Sequence, residues 1–195
     1  MSSPSLDQVS SWIKSRQSIY PEMFTGEKVD DSVILTLLEN ANSAPSHRHT
    51  EPWRFHVVTT LALPAFKEFF LATYTKMHSG DSFKQSKYKK IGKRIVACSH
   101  VLILTMQRDP KNSVPEWEEI AAVGCAIENI YLSLSPCGLG GYWSSPLYLM
   151  DNIQSYIELQ DGERCLGLFY IGVPQAQLPP QINKRPIEEK TTWIR

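Results

Sequence analysis

Residues Ala44 to Val58 read APSHRHTEPWRFHVV, and this stretch decides how the rest of the chain is laid out. Its first half is a proline-broken polar loop carrying His47, Arg48 and His49. Its second half, Trp53-Arg54-Phe55-His56-Val57-Val58, alternates large apolar and polar side chains with the period of a half-buried strand. A polar loop fastened to a rigid strand can aim side chains without disturbing the core. The same residues also fit a plain solvated connection, and the loop alone does not separate the two readings.

Working outward towards the N-terminus, Asp30 or Asp31 can cap a helix whose apolar face is Val33, Ile34, Leu37, Leu38 and Ala41, and Pro45 stops it. Ser5-Leu6-Asp7-Gln8 has the form of a capping box, and Leu6, Val9, Trp12 and Ile13 follow at helical spacing as far as Ser15. Next comes Arg16-Gln17-Ser18-Ile19-Tyr20-Pro21. In an extended segment residues two apart share a side, so Arg16 and Ser18 present a cation and a hydroxyl together, a plausible phosphate clamp.

Towards the C-terminus, Pro64 suits a first helical turn, and Phe66, Phe69, Phe70 and Met77 supply a buried stripe. Ser79 to Arg94 is rich in lysine around Tyr88 and reads as a solvated helix face or a flap over a pocket. Val101-Leu102-Ile103-Leu104 is a continuous apolar run, expected as a central strand buried on both faces. Pro115 opens the longest helix, a buried spine with Trp117, Ile120, Gly124, Ile127, Tyr131 and Leu134 at steps of three and four. Its small residues, Gly124, Cys125 and Ala126, suit close packing inside one subunit or across a dimer seam.

After Pro136 the stretch Gly138 to Pro146, GLGGYWSSP, follows a helix rather than preceding one, which excludes the Rossmann fingerprint. It reads as a loop of exposed backbone N–H groups beside an aromatic side chain, suited to a flat heterocycle. Ile153, Tyr156 and Ile157 mark a short helix, and Cys165 to Ile171 a third buried strand. Residues 175–195 read as an extended arm that wraps a partner or frays.

Length and composition fit one domain over residues 1–195. Basic and acidic residues both number 20, so no net field draws the chain to nucleic acid or an anionic membrane. No stretch approaches the ~20 apolar residues of a membrane span and no leader is seen, so the expected setting is the cytoplasm. Cys98, Cys125, Cys137 and Cys165 form no C-x-x-C pair and are expected as reduced core thiols. Cys98-Ser99-His100 lacks a third ligand, so no metal centre is expected.

Taken in order, RQSI at Arg16–Ile19, APSHRHTEPWRF at Ala44–Phe55, VPEWEEIAAVGCAIENI at Val114–Ile130, GLGGYWSS at Gly138–Ser145 and FYIGVP at Phe169–Pro174 resemble the nitroreductase family of FMN-dependent oxidoreductases, most closely its short, YdjA-like branch. The resemblance implies an α+β three-layer sandwich, with a mainly antiparallel central sheet between helices. It also implies an intertwined homodimer with one FMN per subunit at the seam. Arg16 and Ser18, with Gln17 beside them, would hold the phosphate or ribityl chain. Ser43 and His47 would reach the flavin from the other subunit, and Trp143, Ser144 and Ser145 would lie along its ring. NADH or NADPH would donate hydride, and an electron-poor small molecule, a nitroaromatic or a quinone, would accept the electrons.

In that scheme His47 is the side chain nearest the acceptor, as hydrogen-bond donor or proton source, or else a packed interface histidine. The sequence departs from the family pattern at Gln17, which replaces an arginine, and at Tyr20, which replaces a cation. His49 and Glu51 stand for the usual asparagine and glutamine, and Lys184 with Arg185 in the arm can restore charge near the phosphate. Rival readings are a non-catalytic FMN-storage protein and a flavin-free thiol or hydrolytic enzyme using Cys98 or Cys137.

Overall fold

Side-chain caps set the starts of the first two helices in the computed structural model, which describes residues 3–178 and 180–195. Ser5 and Gln8 close the expected capping box ahead of α1 (Leu6–Ser15). Asp30 accepts the Ser32 N–H at 2.8 Å ahead of α2 (Asp31–Ala41). β1 (Trp53–Val58), α3 (Leu63–Met77), α4 (Gln85–Ala97), β2 (His100–Gln107), α5 (Glu116–Leu134), β3 (Gly140–Ser144), α6 (Leu147–Met150) and β4 (Glu163–Gly172) complete the order.

The strands lie in the order β1-β2-β4-β3, every neighbouring pair antiparallel. The period-two geometry of β2 and β4 sorts their side chains onto two faces. Leu102, Leu104, Met106, Phe169 and Ile171 pack against α2 and α5. Val101, Ile103, Leu168 and Tyr170 pack against α3, α4 and α6. Both faces of the sheet are therefore covered by helices, as the expected α+β sandwich requires. Each fully buried Leu, Ile or Phe contributes about 1.5–3 kcal/mol, so the two central strands hold the layers together.

Several local expectations change. Residues 140–144 form a strand rather than a loop, because Gly140 and Gly141 are there for close packing. A Cβ on Gly140 would fall 2.9 Å from Ile19 Cδ1, and one on Gly141 only 2.5 Å from the Phe169 ring. Around α3, Leu71 and Tyr74 join Phe66 and Phe70 in the core, Phe69 is half-buried and Met77 is exposed. The short helix forms at Leu147–Met150, leaving only a single 3-10 turn at Ile153–Ser155.

α5 is buried on one side only. Ala122, Val123, Ala126, Ile127 and Ile130 enter the core, whereas Trp117, Ala121 and Cys125 point outward, Trp117 being 68% exposed. Cys125 and Cys137 are accordingly exposed, and only Cys98 and Cys165 are core thiols. Contrary to the expectation that nothing approaches a membrane span, residues Glu116–Cys137 are long and apolar enough to cross one by length and composition. The fold supplies the reason: this helix carries one apolar face for the sheet and a second that the rest of the chain leaves uncovered.

A buried carboxylate ties three strands together. Glu163 accepts from His56 Nε2 at 2.8 Å, from the Thr105 hydroxyl, and from the Gln160 N–H at 2.9 Å. Burial pushes its pKa up, but the bonds from Thr105, Gln160 and His56 outweigh this and hold it below the ordinary 4.5. The folded state therefore binds this proton less readily than the unfolded one. The stabilisation is present above the ordinary carboxylate range and is lost as pH falls through the depressed value. Melting temperatures of wild type and Glu163→Gln should differ near neutrality and converge between about pH 5 and pH 3; a gap independent of pH would contradict this assignment.

Candidate functional site

The free edge of β3 organises the first part of the site. α1 ends at Ser15, Arg16 turns extended at φ −62° and ψ 128°, and the segment runs along β3 so that the Ile19 N–H donates to Gly141 O at 2.9 Å. Ile19 enters the core and Tyr20 rests against Tyr142, ring centroids 4.4 Å apart. Arg16 and Ser18 meet at Tyr131 on α5. The guanidinium lies 5.1 Å over its ring, and Ser18 Oγ is 3.3 Å from its hydroxyl. The same hydroxyl accepts the Trp143 N–H at 2.9 Å, so one phenol collects the arginine, the serine and the start of the aromatic stretch. Glu128 is the ion-pair partner of Arg16, at a loose 3.6 Å, and among the described residues the guanidinium donates no hydrogen bond.

Where β3 turns into α6, a cavity of about 630 Å³ opens beneath α4. Phe70, Tyr142, Tyr148 and Tyr170 contribute flat walls, and Ser144 and Ser145 stand at its rim. Its charge is all of one sign: Lys87, Lys90 and Arg94 line it and no carboxylate does. Lys87 sits 5.3 Å from the Tyr148 ring and Arg94 5.7 Å from that of Tyr142. From outside, Glu22 braces two of these cations, accepting from Arg94 Nε at 2.8 Å and pairing with Lys90 at 3.0 Å. Burial pushes the Glu22 carboxyl up, but its hydrogen bonds with Arg94 and Lys90 keep it below the usual range. Burial lifts Tyr148 to about 12 and Tyr170 higher still, so both phenols remain neutral donors beside the cations.

The loop of the opening stretch holds the other expected residues. Its turn His47–His49 is strained: Arg48, His49 and Glu51 adopt φ of 53°, 54° and 42°, a region costly for residues with a Cβ. Bracing comes from Ser46 Oγ, which accepts the Glu51 N–H at 3.2 Å, and from Arg54, which donates to Glu51 O and Trp53 O at 2.8 Å. His47 Nδ1 contacts Glu118 Oε2 in the first turn of α5, while Ser43 is exposed just beyond α2.

Comparison with known proteins fixes the family. The sequence model of the nitroreductase family matches residues 13–173. The chain belongs to the nitroreductase family. YfhC of Bacillus subtilis, provisionally named an NAD(P)H nitroreductase, is 32% identical over 182 residues, covering 92% of this chain and 91% of YfhC. A nitroreductase-like protein of Bacillus cereus has the same fold, with TM-score 0.76, 25% identity, and coverage of 100% of this chain and 98% of that one. The FMN-dependent nitroreductase NfnB of Mycobacterium smegmatis, solved in complex with NADPH, superposes with TM-score 0.75 at 16% identity, covering 98% of this chain and 100% of NfnB.

Within this nitroreductase-family chain the expected residues fall into separate groups. Arg16, Ser18 and Trp143 converge on Tyr131, Gln17 lies half-buried between the first two, and Ser144 and Ser145 reach the cavity. His47 sits at Glu118, and 13 residues of helix at about 1.5 Å each put it roughly 20 Å from Tyr131. One subunit therefore does not bring His47 to Arg16, whereas Ser43 follows the end of α2, where Asn40 meets Asn129 and Ser133 of α5. Arg185 lies in the exposed arm, its carbonyl accepting from Lys190 at 3.4 Å. Nothing in the sequence pointed to Glu22, whereas Lys87, Lys90 and Arg94 belong to the segment expected as a solvated face or a flap over a pocket. A signal was present, since 87, 90, 91, 94 and 95 recur at helical spacing, with Ile91 and Ile95 buried beside the cations.

Proposed function

We propose that this chain is an NAD(P)H-dependent FMN oxidoreductase, acting as a homodimer in the cytoplasm, that passes electrons to an electron-poor small molecule such as a nitroaromatic or a quinone. The observation that carries the reading is the convergence of Arg16, Ser18 and Trp143 on Tyr131, where the free edge of β3 meets the end of α5. The residues fit the cofactor. A guanidinium with unused donors beside a serine suits a phosphate, and the Trp143 indole next to them suits a planar ring.

FMN bound there supplies the hydride chemistry. The chain's own groups supply the rest. Arg16 and Ser18, with Gln17 beside them, grip the phosphate end, and Arg185 of the arm adds charge there. Trp143, Ser144 and Ser145 line the ring. Arg94 and Lys90, fixed by Glu22, lie across the sheet from Tyr131 and hold positive charge over the cavity beside Ser144. Ser43 and His47 come from the second subunit, which accounts for the distance of His47 from Arg16 in the first. His47, steadied by Glu118, presents its other ring nitrogen to the acceptor. NADH or NADPH and the acceptor occupy the same face in turn.

The uncovered face of α5 supplies the seam. Ala121 lies at its middle and is exposed in the single chain, so a larger residue there leaves the subunit's own core intact. Ala121→Arg should give a folded monomer by sedimentation velocity and helical circular dichroism, with FMN affinity at least roughly tenfold weaker than that of the dimeric wild type, the loss of about one charge-assisted contact. A monomeric wild type, or a dimeric variant that binds FMN normally, would refute the seam.

A further inference from the structure

α4 separates two cavities. Lys87, Lys90 and Arg94 face the one beside β3, while Lys89, Gly92, Lys93 and Val96 face away onto a groove of about 570 Å³. Phe24 and Leu71, both mostly buried, form an apolar floor to this groove. Among the described residues three lysines line it, Lys67, Lys89 and Lys93, and no carboxylate does. Lys67 is engaged by Glu68 at 3.2 Å. Lys89 and Lys93 have no ion-pair partner among the described residues.

Gly92 stands in the middle of α4, where glycine costs roughly 0.5–1 kcal/mol relative to alanine. Nothing inside the protein requires it, since a Cβ there would meet only Leu71 Cδ1, at an ordinary 3.8 Å. A longer side chain at this position would instead stand in the groove. The helix thus keeps a weak residue where filling it would close an apolar slot, and Val96, 61% exposed, leaves further apolar surface at its rim.

We propose that this groove binds a small amphipathic carboxylate, its apolar chain lying over Gly92 against Phe24 and Leu71 and its carboxylate held between Lys89 and Lys93. The volume falls within the ~300–1,000 Å³ of small-ligand sites, and an apolar lining with a few polar groups at one end matches their usual make-up. The sign of the charge follows from the lining. Two ammonium groups at one end call for an anionic head, and the apolar floor beside them calls for a hydrocarbon chain attached to it. The site shares α3 and α4 but no lining residue with the cavity beside β3, and it does not depend on the function proposed above.

Isothermal titration of the full chain with decanoate, decanol and decylammonium tests this. Decanoate should bind with a micromolar dissociation constant, and decylammonium at least tenfold more weakly. Gly92→Leu should weaken decanoate at least tenfold while the melting temperature holds or rises, because leucine favours the helix. A Lys89→Gln, Lys93→Gln double variant should weaken decanoate about tenfold and leave decanol unchanged. The proposal falls if wild type shows no decanoate binding below millimolar concentration. It falls equally if Gly92→Leu binds as wild type does, or if decylammonium binds as tightly as decanoate. If decanoate fails but an acidic, apolar peptide binds and is blocked by Gly92→Leu, the groove is a protein-docking surface instead.

Discussion

Replacing Arg16 with alanine is expected to weaken FMN binding by roughly tenfold or more. The guanidinium lies 5.1 Å over the Tyr131 ring and only loosely, at 3.6 Å, against Glu128, so its N–H donors are free to take a phosphate. A hydrogen bond to a charged group contributes about 1.5–3 kcal/mol, and each ~1.4 kcal/mol is a factor of ten in affinity. The side chain is partly exposed and outside both core clusters, so the fold should survive the change. Arg16→Lys keeps the charge but loses the planar fork and should restore only part of the affinity. Quenching of FMN fluorescence on titration with each variant measures the effect. Unchanged affinity in the alanine variant would remove the phosphate clamp.

The largest expected loss of stability comes from Gly167→Ala. Gly167 has φ +140°, and a Cβ there would fall 2.6 Å from Ser144 O and 2.6 Å from Trp143 Nε1. The first of these is backbone of β3, which cannot swing aside as a side-chain tip can. Overpacking costs about 1–3 kcal/mol, and positive φ adds strain of about 1–2 kcal/mol. A combined loss near 3 kcal/mol should lower the melting temperature by roughly 10 °C for a chain of this size. The backbone that must give way carries Trp143 and Ser144, so FMN affinity should fall with stability. A variant melting within a degree or two of wild type would contradict the close approach of β3 to β4.

Most of the scaffold was legible because its signals are local. The Ser5–Gln8 capping box, the Asp30 cap, the alternation of Trp53–Val58 and the apolar runs around Ile103 and Phe169 all form the elements they suggest. β3 was not legible, because Gly140 and Gly141 have no side chains to show a period of two; what demands a strand there is Ile19 and Phe169 pressing on the glycines from elsewhere in the chain. The outward face of α5 was hidden for the opposite reason. A helix apolar on nearly every side does not reveal which side the subunit buries, so Trp117 and Cys125 read as core.

The site was read in fragments. Arg16 and Ser18 could be paired from their spacing, but their meeting with Trp143 at Tyr131 depends on contacts more than 100 positions apart in the chain. The cations of α4 read as a solvated face or a flap over a pocket, because their composition did not say which side of the helix is buried. Two buried isoleucines pull that helix onto the core and turn Lys87, Lys90 and Arg94 over the cavity. No local pattern sets His47 apart from Arg16; the family resemblance assigns them to different subunits, and within one subunit the straight run of α5 lies between them.

Anaerobic rapid mixing of the FMN-loaded dimer with NADH and with NADPH, followed through the visible absorption of the flavin, tests the central claim most directly. The account predicts that at least one nicotinamide bleaches the bound flavin and that a quinone or nitroaromatic then restores the colour. A chain that takes up no FMN, or one whose bound flavin stays oxidised with both donors, would contradict it.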